Sequence, residues 1–309
     1  FGPRWEHAFE TCLAHPKTTL TCLSGVLSDG PDLAKIYAGA SDLTMGIALL
    51  LAEAETLAPN HLAAFTVLGT PDSQSRRDSA TWRKHGLDAH EIVLSAAPPE
   101  PPETAMASGP GRGQIYVATI FCDLVGCSRM SEDETAQVFE DLYTEVGGEL
   151  SAFSSVLESN TWGDAVFLVM TDAREAAEAA LALKRFADER LQDTMGEGTT
   201  FRIACHYGPA YKIFDRIRGI RAYTGLSVVK TARIEPVTPP GEVYATQSFA
   251  GKLRFDGLED YVLELVGEVP LAKKFGSEIV YSVRHKDFDL TPRQLAEVRE
   301  SLAGVSTIS

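Results

Sequence analysis

An α+β chain in two units is what the sequence predicts: a small α/β layer, then a larger antiparallel sheet with helices packed on it. Three observations predict it. The stretch around residues 97 to 113, rich in proline and glycine, can form neither a strand ladder nor a regular helix, and it divides the chain. Ahead of it, strand-like and helical stretches alternate as in a βαβ unit of about 30 residues. Behind it the order is strand, helix, strand, strand, helix, strand, which is the split βαβ, ferredoxin-like arrangement. Residues 1–97 are therefore read as an α/β regulatory or dimerising segment and 98–113 as a linker. Residues 114–285 form the main domain, and 286–309 a C-terminal helix and tail.

In chain order, a helical stretch around Ser41 to Leu57 leads to the apolar run Leu62 to Leu68, a predicted strand. A helix over Arg77 to His85 and a strand over His90 to Leu94 complete the first unit. The loop Gly69-Thr70-Pro71-Asp72-Ser73 sits where phosphate is often bound, but it has neither GxGxxG nor GxxxxGK and is read as a plain connection. Ser95-Ala96-Ala97-Pro98-Pro99-Glu100-Pro101-Pro102-Glu103 opens the linker. Ile115 to Cys122 first alternates and then turns uniformly apolar, as a central strand does. Ser131-Glu132-Asp133-Glu134 is a capping box; Val138, Phe139, Leu142 and Val146 recur on one helical face, with Gly147-Gly148 as the predicted stop. Val156 to Asn160 and Ala165 to Met170 read as strands around a turn carrying Gly163-Asp164. Asp172 and Glu175 open a helix lined by Ala176, Ala180, Leu183 and Phe186, and Phe201 to His206 returns as a strand. Thr291-Pro292 to Gly304 has the signals of a final helix.

Composition narrows the functions. At 309 residues and 44% hydrophobic content the chain can build two packed cores. A formal net charge of −15, with no concentrated basic stripe, argues against nucleic acid as a partner. An acidic protein still binds an anionic nucleotide where metal ions and a few cationic side chains supply positive charge locally. The five cysteines, Cys12, Cys22, Cys122, Cys127 and Cys205, show no CxxC spacing and fit a reducing, cytoplasmic setting. The richest apolar stretch, Thr44 to Ala54, is short and interrupted by Glu53, well under the about 18 residues a membrane helix needs. The chain opens at Phe1 with neither an initiator methionine nor a signal-peptide pattern, so the natural protein is expected to begin upstream.

The chemistry concentrates in two short runs, Phe121-Cys122-Asp123-Leu124-Val125-Gly126-Cys127-Ser128 and Asn160-Thr161-Trp162-Gly163-Asp164. Each sets an aspartate close to a glycine at the edge of an apolar run. In a ferredoxin-like sheet their strands are neighbours, so Asp123 and Asp164 can converge on one edge although 41 residues separate them (164 − 123). Hard carboxylate oxygens of this kind suit Mg²⁺ or Mn²⁺, which bind through one or two carboxylates plus substrate phosphates. On spacing alone, two aspartates capping surface turns are the better explanation of the pattern.

A resemblance adds to this. Residues 114–285 resemble the catalytic domain of class III nucleotidyl cyclases, the adenylate and guanylate cyclases, of a bacterial type with an upstream α/β sensory domain. Ile120 to Ser128 resembles the family's metal-binding strand and phosphate turn, and Thr161 to Ala165 its second metal-binding hairpin. Arg202 to Ala210 resembles the strand after the second helix; Gly225 through Arg233 to Tyr244 resembles the segment carrying the transition-state arginine. The resemblance implies two Mg²⁺ or Mn²⁺ ions per site on Asp123 and Asp164, a phosphate cradle from the backbone N–H groups of Leu124, Val125 and Gly126, and Arg233 at the α-phosphoryl oxygens. Lys273 resembles the family's phosphate-contacting lysine. It further implies a homodimer through this domain, with each site built from both copies, acting on a nucleoside triphosphate to make a 3′,5′-cyclic nucleotide and pyrophosphate.

This chain also departs from the family's pattern. The two base-reading positions hold Asn160 and Ala222, neither of which repeats the usual charged contact, though Asn160 offers both a donor and an acceptor. Val229 stands where the family places a ribose-orienting asparagine, with Ser227 and Lys230 as nearby polar substitutes. Trp162 reads as a core or rim aromatic or as a base-stacking platform, and His206 as a structural histidine. ATP is the expected substrate, with a CTP or UTP cyclase of antiviral defence, or a catalytically degenerate regulatory module, as the alternatives.

Overall fold

The computed structural model describes residues 33–56, 62–68, 74–93, 113–126, 132–191 and 198–286. The loop at 69–73, most of the linker, Ser131, Cys12, Cys22, Cys127 and the C-terminal helix expected at 291–304 lie outside these residues. A long helix α1 (Leu33–Ala54) comes first, longer at its start than expected, followed by β1 (Ala63–Leu68), α2 (Gln74–Lys84) and β2 (Asp88–Val93). β1 and β2 pair in parallel, as a βαβ unit requires.

The second unit runs β3 (Gln114–Val125), α3 (Glu132–Leu150), β4 (Val156–Trp162), β5 (Ala165–Met170), α4 (Ala173–Phe186), β6 (Thr200–Asp215), β7 (Ile220–Thr224), α5 (Leu226–Ile234), β8 (Val243–Thr246), α6 (Gln247–Phe255), β9 (Tyr261–Pro270) and β10 (Ser277–His285). Its sheet is ordered β4-β5-β3-β6-β8-β10-β9, with β7 beside β6. The first four strands give the ferredoxin-like order, and β3 pairs antiparallel with both β5 and β6. The sheet is not wholly antiparallel, because β6 and β8 run parallel across the crossover through β7 and α5. Two local expectations are corrected. Gly147 and Gly148 lie inside α3, which continues to Leu150 because Leu142 and Val146 already anchor it on the core. β6 extends nine residues past His206 because it pairs with β7 in a long hairpin.

Both faces of the sheet are used. The even residues of β3, Ala118, Ile120, Cys122 and Leu124, join the main core under α3, α4 and α6. Its odd residues Val117 and Phe121 pack with Phe167, Val169, Ala210 and Tyr223 on the opposite face, beneath Val228 and Ala232 of α5. A ferredoxin-like arrangement keeps its helices on one face; α5 on the other face is the difference, and it brings the Arg233 segment onto the face that bears Asp123. Asp172 caps α4, its carboxylate accepting from the Glu175 N–H at 2.8 Å.

α1 is bound into this second unit. Leu43 is wholly buried in the main core, Leu50 packs with Ala250 and Tyr281, and Met45 packs with Trp82 and Leu87 of the first unit. Glu53 pairs with Arg254 through two contacts, at 2.7 and 3.0 Å.

Candidate metal centre

Asp123 lies two residues before the end of β3, opposite Ala165 of β5 and Arg202 of β6. Residues opposed across antiparallel strands share a face, so Asp123 and Arg202 project together. Asp164 occupies the β4–β5 turn at the same edge: its carbonyl accepts from the Leu124 N–H at 3.1 Å. Gly163 takes φ 64° in this turn, a conformation glycine adopts without strain, and the Tyr143 hydroxyl of α3 donates to its carbonyl. Both aspartates are therefore fixed by backbone geometry at one end of β3 and β5.

The charges there are unbalanced. Arg202 donates to Asp123 Oδ2 through Nε at 3.0 Å and Nη2 at 2.5 Å. Glu235, in the short 3-10 turn that follows α5, brings its Oε1 to 2.5 Å from the same Nε. That contact is an ion pair without a hydrogen bond, since the single Nε–H is directed at Asp123 and Glu235 Oε1 is left buried with no hydrogen-bond partner. Burial first, and the charge of Asp123 second, push the Glu235 carboxyl up to about 7, with Arg202 opposing. The same two causes, in the same order, hold the Asp164 carboxyl above its ordinary value. Three carboxyl groups thus face one guanidinium.

Such a site fits a dication. The two aspartates supply hard oxygens, and the raised Asp164 carboxyl marks a place where added positive charge is favourable. No group of three or more His, Cys, Asp or Glu side chains is arranged to hold an ion among the described residues. Mg²⁺ does not require such a cage, because it retains waters and substrate phosphates as ligands.

The remaining sequence-derived residues fall as follows. β3 runs on to Val125, so Asp123 does not end the strand and the Leu124 N–H is already bonded to Asp164. That corrects the expectation that Leu124 cradles phosphate. Val125 is the last residue of the strand, and Gly126 leaves it with φ 111°, where a Cβ would stand 3.1 Å from Thr199 Oγ1. Asn160 lies on β4 opposite Phe167, on the Asp123 face. Ala222 is buried on β7, only 4% exposed, so its methyl group offers a base no accessible edge. Trp162 is 54% exposed and stacks on Phe121 and Phe167, with centroids 5.6 and 5.8 Å apart. It is a rim aromatic with one open face. His206 is buried with Nδ1 3.0 Å from Thr246 Oγ1, and burial holds its pKa well below the ordinary value.

Arg233 is not brought to the carboxylates. On α5 the residues that touch the sheet are Ser227, Val228, Thr231, Ala232 and Ile234, with Glu235 just beyond. At about 100° per residue these cluster on one side, while Leu226, Val229 and Arg233 fall on the opposite side. Leu226 is correspondingly exposed, and Arg233 Nη1 donates to the Ala232 carbonyl at 3.4 Å. Arg233 does not pair with Glu235, which is held by Arg202 instead. Ser227 donates to the Pro209 carbonyl and Lys230 pairs with Glu278 at 2.6 Å, so both polar neighbours of Val229 are engaged. Lys273 is exposed, and it and Lys274 both adopt left-handed φ values, 57° and 58°. Arg202 and Glu235 were missed as site residues by sequence reasoning; their signal is the strand register that sets Arg202 opposite Asp123.

No family model and no curated protein matches the chain. Solved structures do. The guanylate cyclase domain of RhGC from Catenaria anguillulae, in complex with GTP, is 19% identical with a TM-score of 0.48, over 55% of this chain and 96% of that one. The adenylyl cyclase CyaB from P. aeruginosa is 14% identical, also at 0.48, over 58% and 98%. The guanylyl cyclase Cya2 is 16% identical at 0.45, over 59% and 98%.

Proposed function

We propose that this chain is a nucleotidyl cyclase, converting a nucleoside triphosphate, ATP foremost, to a 3′,5′-cyclic nucleotide and pyrophosphate. The observation that carries the reading is the convergence of Asp123 and Asp164 at one sheet edge with too little positive charge to balance them. Asp123 and Asp164 would hold two Mg²⁺ or Mn²⁺ ions. Bound there, the ions supply Lewis acidity to the ribose 3′-hydroxyl and charge neutralisation to the polyphosphate. The 3′-hydroxyl gives its proton to solvent water as its oxygen attacks the α-phosphorus, and the α-phosphorus–oxygen bond to the β-phosphate breaks, releasing pyrophosphate. Gly126 leaves the strand at φ 111°, a turn that would direct its backbone N–H, with that of Val125 beside it, at a phosphate. Asn160 faces the same side of the sheet and offers a donor and an acceptor to a base. Lys273 adds an exposed ammonium for the triphosphate.

Arg233 points away from its own chain's carboxylates, the orientation required if it serves a second copy. We therefore place the site at a homodimer interface, where Arg233 of one protomer neutralises charge growing on the α-phosphoryl oxygens held by the other. The exposed apolar side chains Trp162, Leu226, Phe214, Ile217 and Ile220 supply a surface for that contact. Val229, which offers no polar atom beside Arg233, favours a second reading, a degenerate regulatory module.

Incubating the protein with each of the four ribonucleoside triphosphates and Mn²⁺ or Mg²⁺, with mass spectrometry of the products, tests the proposal. Cyclic product from at least one triphosphate, lost in Asp123→Ala and in Asp164→Ala with the far-UV CD unchanged, is the expected result. The triphosphate consumed also decides between ATP and a pyrimidine substrate. A folded dimer that makes no product from any of them supports the regulatory module.

A further inference from the structure

Resting on the reading of Asp123 as a metal-binding carboxylate, we infer that Glu235 is a positioning residue: it holds the Arg202 guanidinium so that Asp123 meets a dication in one fixed orientation. Arg202 lies between the two acids, with both of its hydrogen bonds to Asp123 falling on Oδ2 alone. The other flank of its Nε is occupied by Glu235 Oε1 at 2.5 Å. A guanidinium is a planar fork whose preferred partner is a whole carboxylate, engaged through two parallel N–H bonds. Here the fork is kept from closing on both oxygens of Asp123 by a competing acid.

With Glu235 removed, Arg202 is free to take both oxygens of Asp123, and the carboxylate would have to shed a bidentate partner before it could accept a cation. Glu235 therefore acts through Arg202 on the ligand without itself touching the ion. Its place in the chain adds a consequence: Glu235 follows α5 directly, two residues after Arg233, so the segment that reaches toward a second copy also braces this copy's own metal ligand.

The test is Mn²⁺ binding to the full chain without nucleotide, followed by electron paramagnetic resonance, with kcat/KM measured in parallel. Asp123→Ala serves as the control that abolishes the bound signal. Loss of a residue that orients a metal ligand weakens binding by about 10–100-fold, and that is expected for Glu235→Ala. Glu235→Gln keeps an acceptor for the guanidinium and should bind within about 3-fold of the parent, well inside that range. Arg202→Lys, whose compact ammonium cannot bridge two acids, should fall with Glu235→Ala; it carries the test if the alanine variant does not fold.

Glu235→Ala or a folded Arg202→Lys binding Mn²⁺ like the parent overturns the inference. So does Glu235→Gln falling as far as Glu235→Ala, which would leave bare charge as the cause, and so does a parent that takes up no Mn²⁺. The two claims fail separately. If no triphosphate is cyclised but the Mn²⁺ series behaves as stated, the cyclase reading falls and the positioning role stands; if the parent cyclises and Glu235→Ala matches it, the reverse holds.

Discussion

At Glu235 a carboxyl that would ordinarily ionise near 4.5 is pushed up to about 7, first by burial and then by the charge of Asp123. The folded protein therefore keeps a proton that the unfolded chain releases between those two values. Stability conferred by this group is fully present below 4.5, falls as pH rises toward 7, and is flat above it. In metal-free buffer the parent should lose up to about 3 kcal/mol between pH 5 and pH 8, at about 1.36 kcal/mol per pH unit, and Glu235→Gln should lose markedly less in denaturant titrations at the two pH values. Asp123 and Asp164 were legible in the sequence because each borders an apolar run, with Gly126 three residues after the first and Gly163 directly before the second. Arg202 was not legible as their neighbour, since 79 residues separate it from Asp123 and only the β3–β6 register joins them. The Leu124 phosphate contact failed for a related reason: the strand runs two residues past the aspartate and uses the N–H within the sheet edge.

Among the elements, α1 shows how an upstream helix becomes part of the sheet domain's core. Gly46 sits where a Cβ would stand 1.9 Å from the Gly251 carbonyl oxygen, so α1 and α6 cross with their backbones in contact. Gly39 is likewise filled by the Tyr116 ring. Gly46→Val must push the helices apart and should cost about 2–4 kcal/mol in denaturant unfolding, at the upper end of what overpacking does. Leu43→Ala empties a wholly buried position in the main core and should cost about 2–5 kcal/mol. In both variants the transition should remain single if α1 unfolds with the sheet, which coincident CD and fluorescence curves would show. The helical period around Ser41 to Leu57 was readable. The partner of Gly46 was not, because a glycine in a helix looks like a weak helix former until the helix it crosses, 205 residues later, is in view (251 − 46). The βαβ order and the four ferredoxin-like strands were readable from period and turn residues, whereas the parallel β6–β8 pair depends on a crossover that no local signal marks.

On the scale of the whole molecule, one protomer presents its carboxylate edge and its arginine in different directions. Asp123 is held by Arg202 with Asp164 at the same sheet edge, while Arg233 lies on the outer side of α5 with the exposed Leu226. A two-fold symmetric pair is the simplest assembly that brings the arginine of one copy to the carboxylates of the other. The measurement that tests this most directly is to mix Asp123→Ala and Arg233→Ala proteins, each inactive alone, and assay cyclic nucleotide formation. Half of the randomly formed dimers are mixed, and each mixed dimer holds one complete site out of two, so activity should return to roughly a quarter of the parent's. Mixed dimers that form, as shown by differently tagged copies co-purifying, and yet make no cyclic product would contradict a site shared between two chains.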